Sequence, residues 1–266
     1  MVDVVWGERQ TRLVFDRFPY PPDDKGLKRE LVGYEGEIIN VAEHFIEDGD
    51  VAIDVGECLG YHTCLLAKLV GEQGLVYAFE PQQKSFDLLT HHVFTANKLN
   101  NVACLRAIIW GKHEPEMTLW SPPDIGYSSV HKYINSYSSE TVQAHALDDI
   151  IASEHHPRFI KIDVEGSEFA VLYGARDMLA KGVDCVVLEF NYHLLDICQK
   201  TDSEIREFMA ALGYDMFIIN IADSNRTGQF VDPIHVEPDV PITLQGGHHI
   251  NVMFSTREKV RERWKT

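Results

Sequence analysis

Two short stretches concentrate carboxylates and glycines in patterns suited to a charged ligand. The first is Asp54-Val55-Gly56-Glu57-Cys58-Leu59-Gly60-Tyr61-His62-Thr63. A loop pressed against a ligand has no room for a Cβ and can need positive φ, which Gly56 and Gly60 allow. An acid at Asp54 would repel a pyrophosphate and suits a ligand with positive charge. The pattern is not G-x-G-x-x-G, because Cys58 stands where its second glycine would be, and no Lys-Ser or Lys-Thr follows Gly60 to make a P-loop. The second stretch is Asp163-Val164-Glu165-Gly166-Ser167-Glu168, three acids within six residues. Some of them can simply face the positive end of a helix. As a set, Asp163, Glu165 and Glu168 are candidate catalytic groups. A further acid, Glu80, follows Asp54 by 26 positions. At the end of a second strand it could accept hydrogen bonds from ribose hydroxyls, although an ordinary solvated glutamate would look the same.

These groups need elements to hold them. The apolar, β-branched run before Asp54 predicts a buried parallel strand, and apolar residues at helical spacing after Gly60 predict a helix. Strand, glycine turn and helix make half a unit of a doubly wound α/β sheet, whose ligands sit at the carboxyl ends of the strands. A helix over 37–47 precedes this unit. A strand over 75–79 ends in Glu80-Pro81, and a helix over 85–96 follows. The run 102–109 predicts a third strand, whose end at Ala107-Ile108 offers small and apolar groups to an adenine ring. An insertion at about 112–140, rich in Pro, Ser and Tyr, holds a short strand over 117–120. It could receive a substrate or be a decorative hairpin. Further strands are expected over 142–147, 159–162, 185–191, 214–220 and 250–255. Between them lie a short helix from 147, a helix through 179 and one over 203–212 capped by Asp202 or Ser203. Residues 222–248 read as irregular. The sum is about seven sheet strands, mostly parallel, with the last two an antiparallel pair. The organisation read from this is an N-terminal extension (1–36), a main domain (37–256) and a charged tail (257–266). The Pro-rich segment 18–24 is a lid candidate for the site.

With 266 residues, 45% hydrophobic, the chain can bury a large core. A net charge of −17 argues against a nucleic-acid backbone or an anionic membrane as partner. Five scattered cysteines without C-x-x-C point away from a disulfide scaffold and towards a reducing, cytoplasmic setting. The first residues lack the apolar core of a signal peptide, and no run reaches membrane-span length.

Taken together, Asp54-Val55-Gly56-x-x-x-Gly60-Tyr61-x-Thr63, Phe79-Glu80-Pro81, Leu147-Asp148-Asp149 and Lys161-Ile162-Asp163-Val164-Glu165-Gly166-x-Glu168 resemble the FkbM family of class I S-adenosylmethionine-dependent methyltransferases. Each piece is weak alone; all four in this order are specific. The similarity runs from about 33 to 254. It implies a Rossmann-like, doubly wound methyltransferase sheet of seven strands with a reversed last strand, and O-methylation as the usual chemistry. It also implies S-adenosylmethionine as cofactor. Gly56 and Gly60 would let the loop pass close to it, with Glu57, Tyr61 and Thr63 in that same loop and helix start. Asp54 would hold the methionine end, Glu80 with Pro81 the ribose, and Ala107 and Ile108 the adenine. Asp163 would face the methyl-transfer region. The chain departs from the family at Glu57-Cys58, where a small residue and Asn are common, which places a second carboxylate beside the loop.

For the chemistry, the enzyme has to align an acceptor oxygen with the methyl group and accept the hydroxyl's proton. Asp163, Glu165 or Glu168 could be that base. His62, His145 and His193 are further candidates, although a lone histidine is more often packed or solvated. A magnesium variant would use Asp163 with Glu189 and Asn191 as hard oxygen ligands. The acceptor reads as a small molecule or carbohydrate, and a homo-oligomer stays open. Two other readings compete: an NAD-dependent oxidoreductase, disfavoured by the missing glycine fingerprint, and a non-catalytic S-adenosylmethionine-binding module, disfavoured by the retained acids.

Overall fold

In the computed structural model, residues 2–6, 11–15, 34–122, 127–132, 138–219, 232–237, 239–242 and 249–264 are described. Strands β1 (Val2–Trp6) and β2 (Thr11–Phe15) form an antiparallel hairpin. Helix α1 (Gly36–Phe45), strand β3 (Val51–Val55), helix α2 (Tyr61–Leu69) and strand β4 (Leu75–Phe79) follow. Helix α3 (Gln83–Thr90) continues into a π-helical stretch, His91–Ala96, and leads to β5 (Val102–Leu105). Strands β6 (Ile108–Ile109), β7 (Glu114–Ser121) and β8 (Ser138–His145) make a separate sheet in the order β6-β8-β7. Then come α4 (Leu147–Ile150), β9 (Pro157–Ile162), α5 (Glu168–Gly174), α6 (Arg176–Lys181) and β10 (Cys185–Asn191). The remaining elements are α7 (Tyr192–Ile197), α8 (Asp202–Ala211), β11 (Asp215–Ile218), β12 (Ile234–Val236), β13 (His249–Ser255) and α9 (Arg257–Trp264).

The large sheet runs β12-β11-β13-β10-β9-β3-β4-β5. Its five strands from β10 to β5 are parallel, and β13 lies antiparallel between β10 and β11. The expected doubly wound sheet with a reversed last strand is therefore present. An eighth strand, β12, extends the edge beyond the seven expected. Alternating residues feed two cores, one per face: Ala52, Val76, Phe159 and Val187 on the side of α1 and α2, and Ile53, Phe79, Ile160 and Leu188 on the other. The chain leaves β3 towards β4 and β5, then returns to lay β9 on the other side of β3. That reversal is the topological switch point, where such sheets open a crevice.

Several local expectations shift. The run 102–109 is two strands, because the chain leaves the main sheet after Leu105 so that β6 pairs with β8. The helix expected through 179 breaks at Ala175, just after Gly174, where a Cβ would lie 2.1 Å from the Trp110 carbonyl oxygen. The cap of α8 is Thr201, not Asp202 or Ser203. Its hydroxyl accepts from the Glu204 N–H while the Glu204 carboxylate accepts from the Thr201 N–H, a capping box. In the N-terminal extension, Leu13 and Phe15 are buried in the α1/α2-side core. The Asn97 amide secures β2 by donating to the Val14 carbonyl and accepting from the Val14 N–H, both at 2.8 Å. The lid candidate 18–24 lies outside the described residues. The tail docks as α9, with Trp264 stacked on His44 at 4.2 Å and Arg263 on Glu47 at 2.6 Å.

Candidate active site

A cleft opens at the switch point, at the carboxyl ends of the parallel strands. One wall is apolar: Phe79, Ala107, Ile108, Ile109 and, from the second sheet, Leu119 with Val130. The cleft is also lined by the carboxylate-bearing residues Glu80 after β4 and Asp163 and Glu165 after β9. The insertion thus walls the cleft, closing it with residues that the strand-ends alone would not supply.

The bend after β3 is built from within. Gly56 and Gly60 have φ of 83° and 87°, and Cys58 between them has 55°. A Cβ on Gly56 would lie 1.7 Å from the Asp163 carbonyl oxygen, so the two loops touch backbone to backbone here. Glu57 turns inward. Its Oε1 accepts the N–H groups of His62 at 2.6 Å and Thr63 at 3.0 Å, capping α2 from before its start. Burial, then the nearby Asp54, push its carboxyl well above the usual range. Asp54 is fully buried and accepts the Thr63 hydroxyl at 2.9 Å. Glu80 receives the Cys58 N–H on one oxygen and the Gln82 N–H on the other, both at 2.8 Å. Burial raises its pKa to about 7, against those two N–H groups.

The bend after β9 is built differently. Glu165 and Gly166 both take left-handed backbone, φ 51° and 94°. Glu168 accepts the N–H groups of Gly166 at 3.0 Å and Val164 at 3.4 Å. Glu165 lies along the cleft, and burial followed by Asp163 raises its pKa to about 8. Burial raises Glu168 to about 7. Glu189, on β10, is raised to about 9 by burial and then by Asp163 and Glu35.

Lys161 sits between the two bends. It is paired in register with Asp54 across β3 and β9, so both side chains emerge on the same face. Its ammonium is buried, 3.4 Å from the Gly56 carbonyl oxygen, 3.4 Å from Asp163 Oδ2 and 3.9 Å from Asp54 Oδ1. Burial alone would lower its pKa; Asp163, Asp54, Glu35 and Glu57 outweigh this and raise it. Lys161 stands in the sequence pattern Lys161-Ile162-Asp163-Val164-Glu165-Gly166-x-Glu168 without an expected role. Its signal was a lysine between Ile160 and Ile162 in a strand read as buried. Glu35, just before α1, was missed altogether. It is buried, with Oε2 3.3 Å from His62 Nε2, and burial followed by Asp163 raises its pKa to about 8.

Of the expected cofactor residues, Gly56, Glu80, Pro81, Ala107, Ile108 and Asp163 line the cleft. Asp54, Glu57, Gly60, Tyr61 and Thr63 are not among its lining and build the strand end, the bend and the helix start. Of the catalytic candidates, Asp163 and Glu165 line the cleft, while Glu168 faces backbone N–H groups. His62 is buried between Glu35 and Glu57, its pKa lowered well below the ordinary value by burial and then by Lys161. His145 stacks near His113 at 4.8 Å, and His193 is exposed on α7. For the magnesium variant, Asn191 Oδ1 is engaged in capping α7 through the Leu194 N–H. Among the described residues no group of three or more His, Cys, Asp or Glu has metal-holding geometry.

The donor set fits a cationic nucleoside: an apolar slot at one end, carboxylates at the other, and at Ser167 a buried hydroxyl on the cleft with no hydrogen-bond partner among the described residues. Strand order and switch-point cleft define a Rossmann-like methyltransferase scaffold. The Methyltransferase FkbM domain matches residues 54–216, and the chain belongs to that family. Hexuronic acid methyltransferase AglP of Haloferax volcanii is 30% identical over 166 residues; the match spans 61% of this chain and 64% of that relative, under two thirds of its length. Among solved structures, methyltransferase FkbM from Methylobacillus flagellatus KT aligns with a TM-score of 0.47 at 18% identity, over 77% of this chain and 43% of that one. Precorrin-6y C5,15-methyltransferase from Geobacter metallireducens GS-15 aligns with 0.44 at 12%, over 92% and 94%. No helix among the described residues is long and apolar enough to cross a membrane.

Proposed function

We propose that this chain transfers a methyl group from S-adenosylmethionine to a hydroxyl of a carbohydrate-type acceptor. The observation that carries the reading is the two-ended cleft at the switch point, apolar beyond β5 and acidic beyond β9. The FkbM family match supports the cofactor, and the relative whose printed substrate is a hexuronic acid supports a sugar.

When bound, S-adenosylmethionine supplies an electrophilic methyl group on a cationic sulfur. Ala107, Ile108, Phe79, Leu119 and Val130 offer its adenine a dry slot. Glu80 keeps a free lone pair on each oxygen after accepting its two N–H groups, and these can take the ribose hydroxyls. Asp163 places negative charge beside the sulfur end of the cleft. Glu165 is the favoured base, because a carboxyl raised to about 8 holds a proton more firmly than an ordinary one. Glu168 is a positioning residue: by gathering the Val164 and Gly166 N–H groups it fixes the left-handed turn that aims Glu165. A hydroxyl acceptor suits this end, where Glu165 stands ready to take its proton.

Calorimetric titration with S-adenosylhomocysteine tests the cofactor half. Wild type should bind, and Glu80→Ala should bind at least tenfold more weakly. Methyl transfer from labelled S-adenosylmethionine to glucuronic acid, galacturonic acid and neutral hexosides tests the acceptor half. Tight S-adenosylhomocysteine binding with no transfer to any hydroxyl compound would favour a binding module instead.

A further inference from the structure

We propose that Lys161 is a positioning residue of the cofactor cleft: its buried ammonium ties the Gly56 carbonyl of one bend to the Asp163 carboxylate of the other, so that both reach the cleft already aligned. The inference rests on the cofactor half of the proposed function.

Lys161 does not itself line the cleft, but both groups it holds do. The two contacts are of equal length, 3.4 Å; Asp163 follows Lys161's own strand, β9, and Gly56 follows the neighbouring β3. They bridge the seam where the sheet changes direction, which is also where Gly56 meets the Asp163 backbone too closely for any Cβ. The backbone of this joint is fixed by the Asp163 N–H on the Val55 carbonyl and the Gly56 N–H on the Phe79 carbonyl, both at 2.9 Å; what the shared cation adds is a hold on the Gly56 carbonyl oxygen and the Asp163 carboxylate. The acids that act on the ammonium come from several elements: Asp54 on β3, Glu57 in the bend, Glu35 before α1 and Asp163 after β9; Glu80 after β4, Glu165 after β9 and the imidazole of His62 on α2 feel its charge in turn. Glu189 on β10 faces Asp163 from the far side. With the ammonium removed, the acids repel one another. The Asp163 carboxylate is then the member that loses its hold, because Asp54 stays pinned by Thr63 and Glu57 by the start of α2.

A plain counter-ion would serve as well for balancing Asp54, without any bearing on ligands. The two roles differ in which acid is coupled to the lysine. Calorimetry with S-adenosylhomocysteine at pH 7.5 separates them, using the full chain as wild type, Lys161→Met, Asp163→Asn and the double variant. Lys161→Met, still cooperatively folded at 25 °C, should bind at least tenfold more weakly, and the double variant should be no weaker than the weaker single. Binding by folded Lys161→Met within threefold of wild type overturns the proposal, as do losses that multiply in the double variant. Should Lys161→Met not fold, Asp54→Asn/Lys161→Met relieves the stranded acid and is compared with Asp54→Asn by the same thresholds. Failure of both to fold makes the lysine a core counter-ion and also overturns it. Wild type that binds no S-adenosylhomocysteine sinks the cofactor reading itself, a separate outcome visible before any variant is made.

Discussion

The bends after β3 and β9 share one sequence grammar: an acid ending the strand, a glycine, a second acid and a helix. They use it to opposite ends. After β3, both acids are turned inward, Glu57 onto the N–H groups of α2 and Asp54 onto Thr63 and Lys161. After β9, only Glu168 is occupied by backbone, while Asp163 and Glu165 lie along the cleft. After β3 the carboxylates are taken up by the fold, whereas after β9 Glu165, crowded by Asp163 and Glu168, is held out of its ordinary titration range while lining the cleft.

The largest expected effect falls on the contact between the bends. Gly56→Ala brings a Cβ against the Asp163 carbonyl at positive φ, and should cost about 3 kcal/mol or more in chemical denaturation and abolish S-adenosylhomocysteine binding. Next is the acid that the second bend leaves free. Glu165→Gln should lower kcat by roughly 10²- to 10⁴-fold with little change in melting temperature. In wild type the rate should climb as pH rises through about 8, because a base must first lose its proton. If that limb survives in Glu165→Gln, Glu165 is not the base.

A third test concerns stability. Glu35, Glu165 and Glu189 have folded pKa values near 8, 8 and 9, above the ordinary value of 4.5. Groups raised on folding stabilise fully below their unfolded pKa, and that contribution is lost as pH rises through the folded one. Melting temperature should therefore fall from about pH 5 to pH 9, and Glu189→Gln should flatten the slope. A flat wild-type profile would remove the distinction drawn between the bends. The smallest effect belongs to the scaffold acid. Glu57→Gln keeps an acceptor for the His62 and Thr63 N–H groups and should stay within about 1 kcal/mol of wild type, whereas Glu57→Ala should cost about 1–2 kcal/mol.

Much of this was legible in the sequence. The apolar run before Asp54 and the glycines after it gave the central strand and bend, and the acids at positions 80 and 163 marked strand ends. What was not legible depended on distant partners. Nothing local to Glu57 tells that its carboxylate turns under the loop, since that follows from where α2 starts. The run 102–109 carries no break signal strong enough to show that two of its residues join another sheet. Strand β12 is three residues long within a stretch that looks irregular. Lys161 was visible as a charge in a buried strand, but its partners come from β3, which only the register brings beside it.

One bond ties the inserted segment to the bend after β9. Ser129 is held to Trp120 by a pair of backbone hydrogen bonds, 2.8 and 2.9 Å, and its hydroxyl donates to the Glu165 carbonyl at 2.8 Å. The inserted hairpin is thus fastened to the peptide that carries the proposed base. Transplanting that hairpin from a relative to alter acceptor choice would also retune turnover, unless the donor brings a hydroxyl to the same spot.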